Sequence, residues 1–137
     1  MPCSPQARTA RITHVVAGLA LLVHGCGDEP SCLEELTCAP SEAPTFEVLY
    51  DDVLRPSCAL DGRSCHGPGG ARPPSMIDVE TARTELEAYV VPGEPLCSEL
   101  VRRVVSDEGG FRMPPLQSAR LSDEAICAID AWVKELR

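Results

Sequence analysis

Cys58-Ala59-Leu60-Asp61-Gly62-Arg63-Ser64-Cys65-His66 lies near the middle of a 137-residue chain and decides how the rest is read. His66 directly follows one cysteine, and six residues separate that cysteine from the next one upstream. His14 and His24 fall in an N-terminal stretch with targeting character, so His66 is the sole imidazole expected in the mature chain. Hydrolytic chemistry is disfavoured, because no motif ties this histidine to a nucleophile. Structural zinc is disfavoured too. It wants closely spaced cysteine pairs with further Cys or His ligands, and the chain has no Cys-x-x-Cys pair.

A cysteine pair ending in a Cys-His dipeptide is the pattern of covalent haem attachment, in which the sulfurs bond the porphyrin and the histidine becomes the proximal iron ligand. A thioether from a later loop then completes the axial pair. Met113, in Arg112-Met113-Pro114-Pro115, is the candidate. Met1 leaves with the leader, and Met76 stands ten residues after His66 on the same connecting loop, poorly placed to reach the opposite haem face. Attachment normally has two residues between the cysteines. Six must loop outward to keep the sulfurs at the separation that a porphyrin requires, and the Asp61-Gly62 turn signal permits this. The competing readings are a Cys58–Cys65 disulfide across a hairpin loop, an exposed His66, and Met113 as an apolar plug before a Pro-Pro turn. A disulfide, however, has no need of the only histidine beside it.

Outward from this stretch, Arg8 and Arg11 precede an apolar run over Val15–Val23 that is too short to span a bilayer. Val23-His24-Gly25-Cys26 resembles a bacterial lipobox, so residues 1–25 are expected to be a signal peptide and Cys26 a lipid anchor. A conventional cleavage nearby is the alternative, and either outcome exports the protein. Residues 26–44, with Pro30, Pro40 and Pro44, read as a tether. With Cys3 removed and Cys26 lipidated, six cysteines remain for an oxidising compartment, and sequence alone does not fix their connectivity. Two pairs are expected beside the haem cysteines. One is Cys32–Cys38, a small loop within the tether. The other is Cys97–Cys127, bracing the Met113 loop from the two helices around it. The alternative for Cys32 and Cys38 is that each pairs with the domain.

The mature chain is acidic. The leader removes two of twelve basic residues and leaves all 21 acidic ones. A polyanion needs a basic face, so nucleic-acid binding is disfavoured. Residues 45–137 form the folded domain, and their apolar residues recur at helical spacing. Phe46, Leu49, Tyr50, Val53 and Leu54 predict a helix capped by Thr45 and stopped by Pro56, which disfavours helical geometry at Arg55. Asp78 caps a second helix to about Ala88. Cys97, Leu100, Val101 and Val104 mark a third that runs to Gly109-Gly110. Ser122 opens a fourth along Ile126, Ile129, Val133 and Leu136, with acidic residues in its first turn and basic ones in its last. No strand alternation and no internal repeat is evident. The fold class is all-α.

From Thr45 to Arg137 the chain resembles class I c-type cytochromes, most closely the planctomycete-type cytochrome c domain of secreted and lipid-anchored proteins. The residues that carry the resemblance are Cys65-His66-Gly67, Val91-Pro92-Gly93-Glu94-Pro95-Leu96-Cys97-Ser98-Glu99-Leu100, Arg112-Met113-Pro114-Pro115, and Leu121-Ser122-Asp123-Glu124 opening the helix with Trp132. The resemblance implies about four short helices around one haem c. It implies Cys58 and Cys65 as thioether donors, His66 as proximal ligand and Met113 as distal ligand. It also implies crossing first and last helices that bring Leu54 or Tyr50 near Trp132. The spacing between Cys58 and Cys65 departs from the family pattern.

The expected function is therefore electron transfer to a redox partner protein, without enzymatic turnover. The expected location is exported and lipid-anchored, on the periplasmic side of a bacterial envelope or at the cell surface. The alternative is a haem-free, disulfide-stapled lipoprotein that uses the same fold as a binding module.

Overall fold

The computed structural model describes residues 31–39, 42–61, 65–70 and 72–137. The leader, the Cys26 anchor and Gly62 of the inter-cysteine turn lie outside the described residues. Among the described residues four helices supply the regular structure and no strand forms, in agreement with an all-α fold.

Helix α1 runs as Phe46–Leu49, widens into a π-turn over Tyr50–Leu54 and closes as Arg55–Ser57. Thr45 caps it, its hydroxyl accepting from the Val48 N–H. The break expected at Arg55 does not occur: Arg55 is helical, at φ −62° and ψ −49°. Its N–H reaches back five residues to the Tyr50 carbonyl. That wider register displaces the backbone oxygen that the Pro56 ring would otherwise strike, so the helix passes through the proline. It still ends directly before Cys58.

Helix α2 (Val79–Leu86) starts at Asp78, whose Oδ1 accepts from the Thr81 N–H at 2.8 Å, and runs into a 3-10 turn over Glu87–Tyr89. Helix α3 (Glu99–Val105) follows a 3-10 turn, Pro95–Cys97, to which Cys97 belongs. It stops at Val105, short of the glycine pair, because Ser106 is extended at ψ 149°. Helix α4 (Asp123–Glu135) starts at Ser122, whose hydroxyl accepts from the Ala125 N–H.

Leu49, Leu54, Leu86, Val101, Ile129 and Val133 are fully buried at the centre. At roughly 1.5–3 kcal/mol each, they dominate the helix packing. Helices α1 and α4 meet as expected, but the aromatic partner of Trp132 is Phe46, with ring centroids 5.1 Å apart, rather than Tyr50 or Leu54. The contact therefore uses the first turn of α1 and the last turns of α4. Gly93, at φ +76°, turns the chain after Val91 and donates to the Val133 carbonyl at 3.0 Å, which docks the Val91–Ser98 turn on α4. Ser98, with no exposed surface, accepts from the Val91 N–H and donates to the Glu94 carbonyl, closing that turn.

The disulfides are Cys32–Cys97 and Cys38–Cys127, which overturns both expected pairings, Cys32–Cys38 and Cys97–Cys127. The open alternative, that Cys32 and Cys38 each pair with the domain, is the one found. The physical reason lies in Leu33 and Leu36. Both pack against the core, and the Leu33 N–H donates to the Leu96 carbonyl at 2.9 Å. Burying these leucines draws the segment onto the domain and presents one cysteine to the Pro95–Cys97 turn and the other to α4. The two elements are braced as expected, but through a strap over residues 32–38 rather than directly.

Candidate functional site

The end of α1 delivers Cys58. Its N–H and that of Ala59 both donate to the Leu54 carbonyl, at 2.7 and 2.8 Å, so the helix terminus is closed without a capping side chain. The chain then leaves and returns: the His66 N–H donates to the Cys58 carbonyl at 3.0 Å. The backbone at His66 is thus joined to that at Cys58. Gly67 makes the return possible. A Cβ there would lie 2.1 Å from the Ala59 carbonyl oxygen, and one on Gly70 would lie 2.2 Å from that of Cys65.

Cys58 and Cys65 are both free thiols, so the disulfide between them is not formed. Burial, with the Cys65 sulfur close by, pushes the Cys58 thiol from 9.0 up to about 11. It therefore stays protonated at neutral pH and is a weak nucleophile.

The His66 ring is fixed by its Nδ1, 2.8 Å from the carbonyl oxygen of Pro74. A carbonyl only accepts, so Nδ1 carries a proton, and in the neutral ring Nε2 is the nitrogen with the lone pair. This is the orientation that metal-binding histidines show, the second nitrogen being held by an oxygen acceptor.

Met113 stands on the loop between α3 and α4. Its N–H donates to the Arg103 carbonyl at 2.9 Å, and the Arg103 side chain donates to the Phe111 carbonyl at 3.1 Å while its guanidinium lies 4.6 Å from the Phe111 ring centroid. Arg112 is buried and donates from Nη2 to the Ser118 carbonyl, cinching the same loop. Glu99 holds Arg103 at 2.6 Å.

One cavity of about 620 Å³ joins these parts. Cys58, Cys65, His66 and Met113 all line it, together with Leu86, Leu100, Val104 and Leu121. Its size falls within the ordinary range for cofactor pockets, about 300–1,000 Å³. Met76 also lines it, but its N–H donates to the His66 carbonyl at 2.7 Å, so its backbone is tied to that of the histidine. Among the described residues, no three His, Cys, Asp or Glu side chains gather to hold a bare metal ion.

Residues 63–117 match the family model described as Planctomycete cytochrome C. Over that span the chain is similar to planctomycete-type cytochrome c domains. The match includes Cys65, His66 and Met113, whereas Cys58 and α1 precede it and α4 follows it. No curated protein and no solved structure matches the chain.

Pro74 and Arg103 carry no sequence signal, although one orients the histidine and the other suspends the methionine loop. Neither contact has a periodic signature: Pro74 lies eight residues from His66, and Arg103 ten from Met113. As sequence, the Pro73-Pro74 pair signals only irregular chain.

Proposed function

We propose that the domain is a one-electron carrier with a single covalent haem c, held through Cys58 and Cys65 and ligated by His66 and Met113. The observation that carries this reading is the convergence of all four side chains on one cavity, with His66 turned so that Nε2 is left for a metal. When bound, such a group supplies an iron that alternates between ferric and ferrous states. The chain's own residues do the rest. His66 and Met113 would both ligate the iron of such a group and leave no ligand site for a substrate, which supports a carrier rather than an enzyme. The soft thioether of Met113 favours the ferrous state and so raises the potential relative to two histidines. Among the described residues Arg72, Arg103 and Arg120 also line the cavity, Arg103 paired with Glu99 and Arg120 with Asp107. In a chain of net charge −9 these guanidinium groups are donors that suit the carboxylates that a haem carries.

The same reading includes export, a lipid anchor at Cys26 and a redox partner protein. The strap bears on how such an anchor would work. Only five residues separate Cys26 from the stapled Cys32, which allows at most about 20 Å of extended chain. A lipid-anchored domain would be held against the membrane surface, and its partner would meet it there.

The test is a reduced-minus-oxidised visible spectrum, with denaturing mass spectrometry, on protein exported from a host with haem-maturation machinery. A c-type spectrum and a mass increment that survives denaturation are expected. A full-length product without covalent haem would overturn the reading in favour of the haem-free, disulfide-stapled module.

A further inference from the structure

We propose that Tyr50 and Glu85 are positioning residues for His66, acting through the segment Pro74–Met76. This segment has no helical or strand structure of its own, yet it makes the contact that orients the histidine ring: the Pro74 carbonyl on Nδ1 at 2.8 Å. What aims that carbonyl comes from two helices. From the π-turn of α1, the buried Tyr50 hydroxyl donates to the Met76 carbonyl at 3.0 Å. From the last turn of α2, Glu85 Oε2 accepts from the Ser75 N–H at 2.7 Å. Between them the Met76 N–H returns to the His66 carbonyl at 2.7 Å. Three consecutive residues are thereby fixed at successive polar groups, and the histidine is gripped at both its backbone and its ring.

The two side chains contribute in different ways. The Tyr50 bond is buried, and its acceptor would be left unsatisfied without it, so it fixes the depth of the segment. Glu85 holds the one N–H that the segment presents towards α2, and so limits its rotation. Loss of either lets the Pro74 carbonyl swing, and a swinging acceptor no longer enforces the Nδ1–H tautomer. The π-turn has a place here too. It sets the register at which Tyr50 leaves α1, and such turns recur at functional sites. The role rests on His66 being an iron ligand, for which Nε2 must be free of its proton; the geometry itself does not.

The test reads the His66 ring by nitrogen-15 correlation spectroscopy in the full-length chain without haem. The unaltered chain is expected to show predominantly the Nδ1–H form. Tyr50→Phe and Glu85→Ala should each lower the ratio of Nδ1–H to Nε2–H by about 2- to 10-fold, the worth of one net hydrogen bond. Glu85→Gln keeps an acceptor for the Ser75 N–H and should hold the ratio near that of the unaltered chain. Glu85 is partly exposed and Tyr50→Phe keeps the ring, so both variants are expected to fold, which circular dichroism verifies. An unchanged ratio in folded Tyr50→Phe and Glu85→Ala would overturn the proposal, as would a Glu85→Gln loss equal to that of Glu85→Ala. A purely structural role would lower the melting temperature and leave the ratio alone. Because the ratio is read without haem, its failure is separate from failure of the haem reading, which the visible spectrum decides.

Discussion

Two loops line the cavity, and they are held by opposite means. The loop around His66 has no covalent tie among its described residues. It relies on glycines that admit backbone at close range and on polar contacts from α1 and α2. The loop around Met113 hangs from α3 by the Arg103 backbone and side chain, and the strap joins the turn before α3 to α4 through two disulfides. The difference follows from chain length. His66 lies beside a thioether candidate and needs only a correct ring orientation. Met113 sits far from any attachment point, on a long connection, so its helices must be kept together for it.

The largest effect should come from cutting the His66 loop at its attachment. Cys65 adjoins His66, so Cys65→Ala is expected to abolish covalent haem. The Cys58 thiol, raised to about 11, is a weak nucleophile, and six residues separate it from Cys65 and the histidine. Cys58→Ala should therefore leave a singly attached haem in reduced yield. Denaturing mass spectrometry distinguishes the two, and equal loss in both would remove the asymmetry argued for the pair.

Next in size is the strap. The two disulfides span sequence separations of 65 and 89 residues, for which chain entropy gives on the order of 4–5 kcal/mol each, without additivity. Replacing both Cys38 and Cys127 with Ser should cost about 2–5 kcal/mol in denaturant unfolding. The His66 tautomer ratio should hold, because no backbone hydrogen bond joins residues 32–38 of the strap to the Pro74–Met76 segment. A tautomer shift as large as that of Tyr50→Phe would show that the two loops are not held independently.

The methionines separate ligand from core. Met113→Ala should open an axial position and abolish the weak near-infrared-edge absorption of a ferric methionine–iron bond. Met76 is 3% exposed and packs in the core, so Met76→Ala should cost about 2–5 kcal/mol in stability. It should keep the absorption. Survival of the band in Met113→Ala would refute the ligand assignment.

What could be read beforehand followed the range of the interaction. Helix positions came from periodicity, and three caps, Thr45, Asp78 and Ser122, stand where short polar residues precede apolar stripes. The candidate ligands were legible because Cys65-His66 and Met113-Pro114 are local motifs. The disulfide partners were not. The burial of Leu33 and Leu36 that selects them depends on a surface formed by residues some sixty positions away. Pro56 misled for a related reason. Its cost is local, but the π-turn that removes the clash is stabilised by packing of Tyr50, Val53 and Leu54 into the core.

The smallest expected effect probes the cap of α2, the helix that carries Glu85. Asp78 accepts from the Thr81 N–H with one oxygen and from the Thr81 hydroxyl with the other, and these bonds hold its carboxyl below the ordinary value of 3.8. A depressed carboxyl stabilises the fold only while it is ionised. Its contribution is complete above about pH 3.8 and is lost as pH falls through the folded-state value. Asn is as good a cap as Asp but does not titrate. The stability difference between the unaltered chain and Asp78→Asn should therefore shrink on acidification, because every other titrating group is common to both. On the Met113 side α4 has a serine cap, and Ser122→Ala should cost about 1 kcal/mol in a way that this titration does not touch. Urea unfolding of the three proteins at neutral and acidic pH measures both effects. If the Asp78→Asn difference is flat across that range, the ionised cap contributes nothing to the helix that holds Glu85.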